Sequence, residues 1–338
     1  MNIAEPPVSS DSLRSIGPRE WDGLQTHPSL PVLANPFNNG FPPSEHVILK
    51  DEIGFVRGRL SLWWEGTPQL RDLKTGLIGH YAAVNQAVSV KMLDYAVRRL
   101  KERGCEMAVG PMDGSTWHSY RLVTEDYGRE PFFLEPANPP SWPDYFRRSG
   151  FQPLAWYRSS EIRLPPEKDP RQLRLKNRME SSGFKIRAFR MTDAKEELRR
   201  IFRLTKVSFR HSFLYTPICE YEFVDQHLAL GRYVVPETVL LAERHGRLAG
   251  FCFAIPDILN NGERRENRAL IIKTLAILPG REYAGLGVFL VAEVHRMAAA
   301  LGFRRVIHAL MHESNISRNI FQERAVVLRR YTLFSRPL

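Results

Sequence analysis

Two glycines, Gly285 and Gly287, end the run that begins Thr274-Leu-Ala-Ile-Leu-Pro279 and open the run Val288-Phe-Leu-Val-Ala-Glu-Val-His-Arg-Met297. The order is an apolar strand, a glycine-bearing turn and an amphipathic helix. Such a junction aims backbone N–H groups along the positive end of a helix dipole, which suits a phosphate. Glycine lets a ligand approach where a side chain would block it. The equal alternative for a lone Gly-x-Gly is a tight connection that needs glycine only for packing. Two carboxylates, Asp257 and Glu243, belong to apolar strand-like runs, where burial moves a carboxyl pKa upward toward general-base range. His308, His312 and Glu313 follow one another at the end of a further apolar run, Arg305-Val-Ile-His-Ala-Leu310. There is no Walker loop, HExxH, CxxC or Gly-x-Ser-x-Gly elbow, and Cys105, Cys219 and Cys252 lie far apart. Metal chemistry and covalent serine or cysteine catalysis are therefore disfavoured, and no metal is expected.

The elements that must hold these residues are legible from periodicity. Residues 1–50, rich in Pro, Ser and Asn, read as a partly ordered lead-in. Strands are expected at 55–64, 75–82 and 106–112, with a helix at 89–103 that Gly104 stops. A loop rich in proline and aromatics covers 131–142, and edge strands run through 158–164. The segment 165–185 opens Pro165-Pro-Glu-Lys-Asp-Pro170 and reads as a linker. Helices at 192–209 and 220–231 follow, then a strand pair, 239–243 and 248–255, turning at His245-Gly246. The glycine turn and its helix lead to a strand at 305–310, a helix from Asn315 to Arg324 and a final strand at 330–334. The two halves repeat this order of elements. Gly58-Arg-Leu and Gly246-Arg-Leu each open a strand, and Gly104 and Gly302 each end an amphipathic helix. Between Tyr81 and its helix, however, the first half carries Ala82-Ala-Val-Asn-Gln-Ala-Val88 and no glycine, so only the second half keeps a phosphate cradle.

With 338 residues, 43% of them hydrophobic and 25% charged, the chain is expected to make two globular domains. The net charge of +11 favours an acidic partner: a nucleotide cofactor, an acidic carrier protein, tRNA or an anionic membrane face. The start, Met1-Asn-Ile-Ala-Glu-Pro-Pro7, has neither a basic n-region nor an apolar run, and the three cysteines show no disulfide framework. A cytoplasmic setting is the expectation. No apolar run approaches the ~18 residues that read as a transmembrane helix.

The second half resembles the GNAT acetyltransferase superfamily over roughly Ile186 to Leu338. Leu275-Ala-Ile-Leu-Pro279 matches the family's strand end, Glu282-Tyr-Ala-Gly-Leu-Gly287 its phosphate turn, Asn315 its later helix-opening Asn, and Arg329-Arg-Tyr331 its final strand. The first half is similar, more faintly, to a group of bacterial tandem GNAT-like proteins through Gly110-Pro-Met-Asp-Gly-Ser115 and Phe146-Arg-Arg-Ser-Gly-Phe151. The resemblance implies an α/β (α+β) chain of two tandem units, each a mixed, mostly antiparallel sheet flanked by helices. A degenerate N-terminal domain would cover 1–164, a linker 165–185, and an acyl-CoA-binding domain 186–338. It implies acetyl-CoA or another acyl-CoA as co-substrate, held by Leu275, Ala276, Ile277, Arg281, Glu282, Tyr283, Ala284, Gly285, Leu286, Gly287 and Asn315. The acyl group would pass directly to the amine of a small molecule or amino acid. Asp257, Glu243 or His308 would serve as base, and His211, Ser212 and Tyr215 would line the acceptor site. Glu282 departs from the family's Gln or Arg, and Gln322 stands where the family often has a tyrosine acid. Two further readings are a Fem-like aminoacyl-tRNA-dependent or carrier-dependent transferase, and a CoA-liganded sensor or scaffold without turnover. Acceptor, acyl length and oligomeric state are not encoded in any motif.

Overall fold

The computed structural model describes residues 12–38, 40–165, 170–260, 268–314 and 325–338. It resolves into two units, one drawn from Met1–Thr124, Pro136–Ala155 and Thr332–Leu338, the other from Glu125–Glu135 and Trp156–Tyr331.

In the first unit β1 (Ser12–Ile16), β2 (Glu45–Lys50), β3 (Val56–Trp63) and β4 (Thr75–Ala83) pair antiparallel in that order. Helix α1 (Gln86–Glu102) then crosses over so that β5 (Met107–Gly110) runs parallel to β4. All nine residues of β4 are buried, as a strand covered on both faces must be. The side chain of Asn85 caps α1 by accepting from the Val88 N–H at 3.0 Å, so the helix begins at Gln86, three residues before the start read from the apolar pattern. Its apolar stripe, Val88, Met92, Leu93, Ala96 and Leu100, packs into the core of this unit. After β5 come β6 (Leu122–Glu125), α2 (Trp142–Arg148) and β7 (Gln152–Arg163), whose residues from Trp156 belong to the second unit.

The second unit continues with α3 (Pro170–Ser181), β8 (Phe184–Ala188), α4 (Ala194–Ser208), α5 (Glu220–Ala229), β9 (Leu240–Arg244), β10 (Arg247–Pro256) and β11 (Ala269–Ile277). Helix α6 (Leu286–Ala300), β12 (Arg305–His312) and β13 (Val326–Pro337) close the chain. Strands run in the order β8-β9-β10-β11-β12-β7. Every neighbouring pair is antiparallel except β11 and β12, which the α6 crossover makes parallel. One face of this sheet packs on α6 through Leu270, Ile272, Leu290, Val294 and Val306; the other buries Ile255, Ile271, Ile307 and Phe132. Residues of β13 from Thr332 return to the first unit, where Phe334 to Pro337 pair with Gly110 to Met107 of β5.

Both units thus repeat one scheme: antiparallel strands, a helical crossover, one parallel pair, then an antiparallel neighbour. The identical Gly-Arg-Leu tripeptides are not its equivalent points. Gly246 lies in the β9–β10 turn, whereas Gly58 lies inside β3; the matching turn glycine is Gly54. Gly58 instead matches Gly250, since a Cβ at Gly58 would meet Val88 Cγ1 at 2.5 Å and one at Gly250 would strike Ile277 and approach Leu290.

Two further expectations are corrected. The lead-in contains β2, a fully interior strand whose apolar run Val47-Ile-Leu49 is buried. The segment read as a linker contains α3, which buries Met179 in the α6 core, and the first two residues of β8. Charge on three sides of α3 hides its short apolar stripe. The helix expected from Asn315 to Arg324 lies outside the described residues.

Candidate active site

The parallel ladder of β11 and β12 is short. It holds from Ala269↔Arg305 to Ile272↔His308, while β11 runs on to Ile277. Where the ladder ends, both strands carry an irregularity. Phe253 of β10 pairs with Thr274 and Ala254 with Ile272, so Lys273 is an extra residue on β11. On β12 the register with β7 shifts between His308 and Met311, and Leu310 takes a left-handed φ of 59°. Bulges turn a strand away from its neighbour, and here they do so on both sides of one point. Residues 273–277 of β11 and 309–312 of β12 therefore carry no ladder to each other, and this unpaired interval between the strands is the slot.

One face of the slot is bridged by the end of α4 and the loop after it. Ser208 Oγ donates to the Ile277 carbonyl at 2.9 Å, and the Phe213 ring lies 5.3 Å from the His312 ring. At the bottom, β11 passes through residues 278–285 into α6. Gly285 caps that helix with φ 92°, a left-handed geometry that a side chain resists. The space beside it is taken by α3: a Cβ at Gly285 would lie 2.5 Å from Arg178 Nη2 and 2.9 Å from Leu175 Cδ1. Arg178 Nη2 also donates to the Ala284 carbonyl at 2.9 Å. A guanidinium is therefore delivered to the turn from a segment that sequence reasoning passed over as linker. The Glu282 carboxylate folds back over Gly280, where a Cβ would meet its Oε2 at 2.5 Å, and so turns from the Gly285 end. Gly287 faces the sheet, its nearest neighbours being Leu275 Cδ2 at 3.5 Å and Ile277 Cγ1 at 3.6 Å. Of the two glycines read as phosphate contacts, Gly285 seats α3 and Gly287 packs the helix on its strand.

No family model and no curated protein matches the sequence. Solved structures do match. The GCN5-related glucosamine N-acetyltransferase region of a fungal multi-domain GH3 β-N-acetylglucosaminidase superposes with a TM-score of 0.57 at 14% identity over 99% of this chain. This chain spans 38% of the length of that protein. A tandem GNAT protein from the clavulanic acid biosynthesis pathway superposes with a TM-score of 0.50 at 11% identity, over 97% of this chain and 98% of that one. The chain has the tandem GNAT fold.

Within the second GNAT unit, the three residues proposed as bases all have structural partners. Glu243 Oε1 accepts from Arg187 Nη2 at 2.8 Å and Arg200 Nη2 at 2.7 Å. Both arginines also reach Glu197, which is almost fully buried on α4. Burial opposes ionisation of Glu243, but the bonds from Arg187 and Arg200 outweigh it and hold the carboxyl below its usual range. Asp257 Oδ1 accepts from the backbone N–H of Phe133 at 3.0 Å, and Asp257 Oδ2 from Asn260 Nδ2 at 3.0 Å. Since Asn260 Nδ2 also donates to the Pro131 carbonyl at 2.7 Å, Asp257 anchors the aromatic loop to the end of β10. His308 points to the α6 face of the sheet, its Nε2 3.0 Å from His295 Nε2, so one imidazole donates to the other. Burial pushes His308 down to about 4 and His295 well below its ordinary value, so both are neutral near pH 7.

The acceptor candidates lie on the α4–α5 connection. His211 and Ser212 are exposed, Tyr215 is half-buried with its pKa raised by burial, and the connection reaches the slot through Phe213. Of the cofactor candidates, Leu275, Ala276 and Ile277 form the β11 side of the slot, and Arg281 to Gly287 form the turn below it. Asn315 lies outside the described residues, as does Gln322. A buried group that sequence reading missed is Glu135, which pairs with Arg329 Nε at 2.8 Å and accepts from the Tyr331 hydroxyl. Burial raises the pKa of Glu135, and burial with the adjacent Glu135 charge raises that of Tyr331. Its partners lie some 200 residues away in sequence, so no local signal marks it.

Among the described residues, the first GNAT unit has no such slot. Its parallel ladder ends at Leu77↔Val109, but the chain stays on β4: Met112 N donates to the Ile78 carbonyl at 2.8 Å, and His80 N to Asp113 Oδ1 at 2.6 Å. Gly79 makes room, since a Cβ there would collide with the Met112 carbonyl and Asp113. Behind this plug runs a buried polar chain, with Ser61 Oγ 2.6 Å from His46 Nδ1 and 2.9 Å from His80 Nδ1. Among the described residues, no group of three His, Cys, Asp or Glu side chains is placed to hold a metal, and no helix is long and apolar enough to cross a membrane.

Proposed function

We propose that the second unit is an N-acyltransferase that moves an acyl group from acyl-CoA, most simply acetyl-CoA, to the amine of a small molecule or amino acid. The observation that carries this reading is the separation of β11 and β12 at paired bulges, directly above the Gly285 turn. A slot with a strand edge as one wall accepts an extended chain such as a pantetheine arm, because main-chain groups can bond along it. The turn from Arg281 to Ala284 and the first N–H groups of α6, with Arg178 beside them, would face the pyrophosphate; two guanidinium groups and the start of a helix suit that charge. Acyl-CoA would supply the activated thioester. The protein's own role is to orient the acyl carbon against the strand edge, exclude water under the 208–213 bridge and admit a neutral amine. Positioning of this kind is worth up to ~7–11 kcal/mol of barrier, so transfer does not require a dedicated carboxylate base.

That Asp257, Glu243 and His308 are all engaged elsewhere favours a second reading, a CoA-binding protein without turnover. A calorimetric titration of acetyl-CoA into wild type and Gly285→Glu tests binding, and release of free thiol against a panel of amines and amino acids tests turnover. Binding that is lost in the variant, with thiol release, supports the transferase. Tight binding with no release across the panel supports the sensor, and no binding to wild type overturns both. A carrier- or tRNA-dependent variant of the transferase rests on the net charge of +11 and the tandem arrangement. Steeply salt-dependent tRNA binding without CoA binding would favour it.

A further inference from the structure

Beside the slot, under helix α4, lies a cavity that none of the site residues explains. It is a partly open recess between α4, α5, the turn after α5 and the outer face of β10, and is lined by Leu198, Ile201, Val234, Phe251 and Phe253 with His227 at one side. Its volume is about 40 Å³. That is room for roughly three methylene-sized groups, since one water-sized sphere needs ~10–15 Å³. The walls are apolar, so water gains little there. The one polar ring in the lining, His227, donates from Nδ1 to the Phe223 carbonyl at 2.7 Å and packs tilted against the Phe223 ring at 4.2 Å, which leaves Nε2 as a lone acceptor. Burial lowers the His227 pKa, which keeps it neutral. No carboxylate lines the cavity, so it cannot stabilise an ammonium group. Its floor is tied to the slot. Phe253 pairs with Thr274, next to the bulged Lys273, and Phe251 pairs with Ala276. The helix that roofs it also bridges the slot through Ser208 and Ile277.

We propose that this cavity holds an uncharged hydrocarbon group of one of the two reactants, either the acyl tail of the donor or the apolar side group of the amine. The inference deepens the transferase reading and rests on it for the identity of the reactants. Adjacent strands are ~4.8 Å apart and β10 lies across β11 from the open edge, so the Phe253 ring is one to two spacings away, a reach of about four to eight carbons. A longer acyl group than acetyl, or an amine with a short branched or aryl substituent, is the class expected.

Xenon tests the cavity without any donor, as an uncharged apolar probe. Under xenon pressure the methyl resonances of Ile201 and Val234 shift saturably in wild type and stay in place in Leu198→Phe, which fills the space. Val234→Phe fills it from the opposite wall and serves if Leu198→Phe does not fold. Calorimetry with CoA, acetyl-CoA, butanoyl-CoA and hexanoyl-CoA then identifies the source. Donor occupancy raises affinity by about fourfold per methylene until the cavity is full, after which it levels. Acceptor occupancy leaves that series flat and instead lowers KM by a similar factor per methylene across primary alkylamines. Absence of a saturable xenon shift overturns the proposal, as do two flat series in a protein that binds CoA. Failure of CoA itself to bind removes the acyl-CoA reading, and the xenon result alone then decides whether the cavity takes hydrocarbon.

Discussion

Replacing Gly285 by alanine separates two roles that the sequence motif merges. At φ 92°, ψ −11° the new residue would occupy the left-handed region, at about 1–2 kcal/mol. Its Cβ would sit 2.5 Å from Arg178 Nη2, the far end of a flexible side chain that can swing away. Doing so breaks the bond to the Ala284 carbonyl, which is exposed and so worth under about 1 kcal/mol. Leu175 Cδ1, at 2.9 Å, has less freedom, because α3 is packed on α6, and its retreat adds on the order of 0.5–1 kcal/mol. The sum is about 1.5–4 kcal/mol. At ~2–4 °C per kcal/mol for a unit of this size, the second unit should melt about 3–16 °C lower by calorimetry. Gly287→Ala is the control: its Cβ meets Leu275 at an ordinary 3.5 Å, and alanine favours the helix by up to ~1 kcal/mol, so its melting point should hold or rise. Equal losses in both variants, or a neutral Gly285→Ala, would refute the claim that Gly285 is required by α3 and the backbone rather than by a ligand alone.

Glu243→Gln should lower the melting point of the second unit, through two weakened bonds to Arg187 and Arg200 at about 1 kcal/mol each, and leave the pH profile of thiol release unchanged. Loss of a profile limb without loss of stability would restore Glu243 as a base. The depressed carboxyls of Glu243 and Glu197 contribute stability that is complete above the ordinary value of 4.5 and lost as pH falls through their lower folded values, so urea midpoints should drop on acidification below about 4.5. His308, held near 4 against an ordinary 6.5, is also depressed: its contribution is complete above 6.5 and is lost between 6.5 and about 4, a fall on the order of 3 kcal/mol; His295 is depressed as well, so a His295→Leu/His308→Leu variant should flatten the slope by about two protons. Gly79→Ala, whose Cβ would meet Asp113 Oδ1 at 2.6 Å, should destabilise the first unit by about 1–3 kcal/mol while leaving the CoA affinity of the second unchanged; a matching loss of affinity would show that the first unit shares the ligand.

What the sequence by itself determined is whatever repeats locally. The period of α1 and α6, the glycines that end them, the strand pair turning at Gly246 and the doubled order of elements all follow from neighbours in the chain. So does the position of the glycine turn, and with it the family resemblance. Tertiary structure alone decided which side chains these elements bring together. Asp257, Glu243 and His308 share a residue type with catalytic bases, but only folding revealed that an aromatic loop, two arginines and a second histidine occupy them. Arg178, in a stretch too charged to read as a packed helix, reaches the turn only because α3 lies on α6. The slot itself is a matter of register: a bulge at Lys273 and a left-handed Leu310 hold apart β11 and β12, which pairing would otherwise have joined, and no pattern along one strand records where its ladder to another ends.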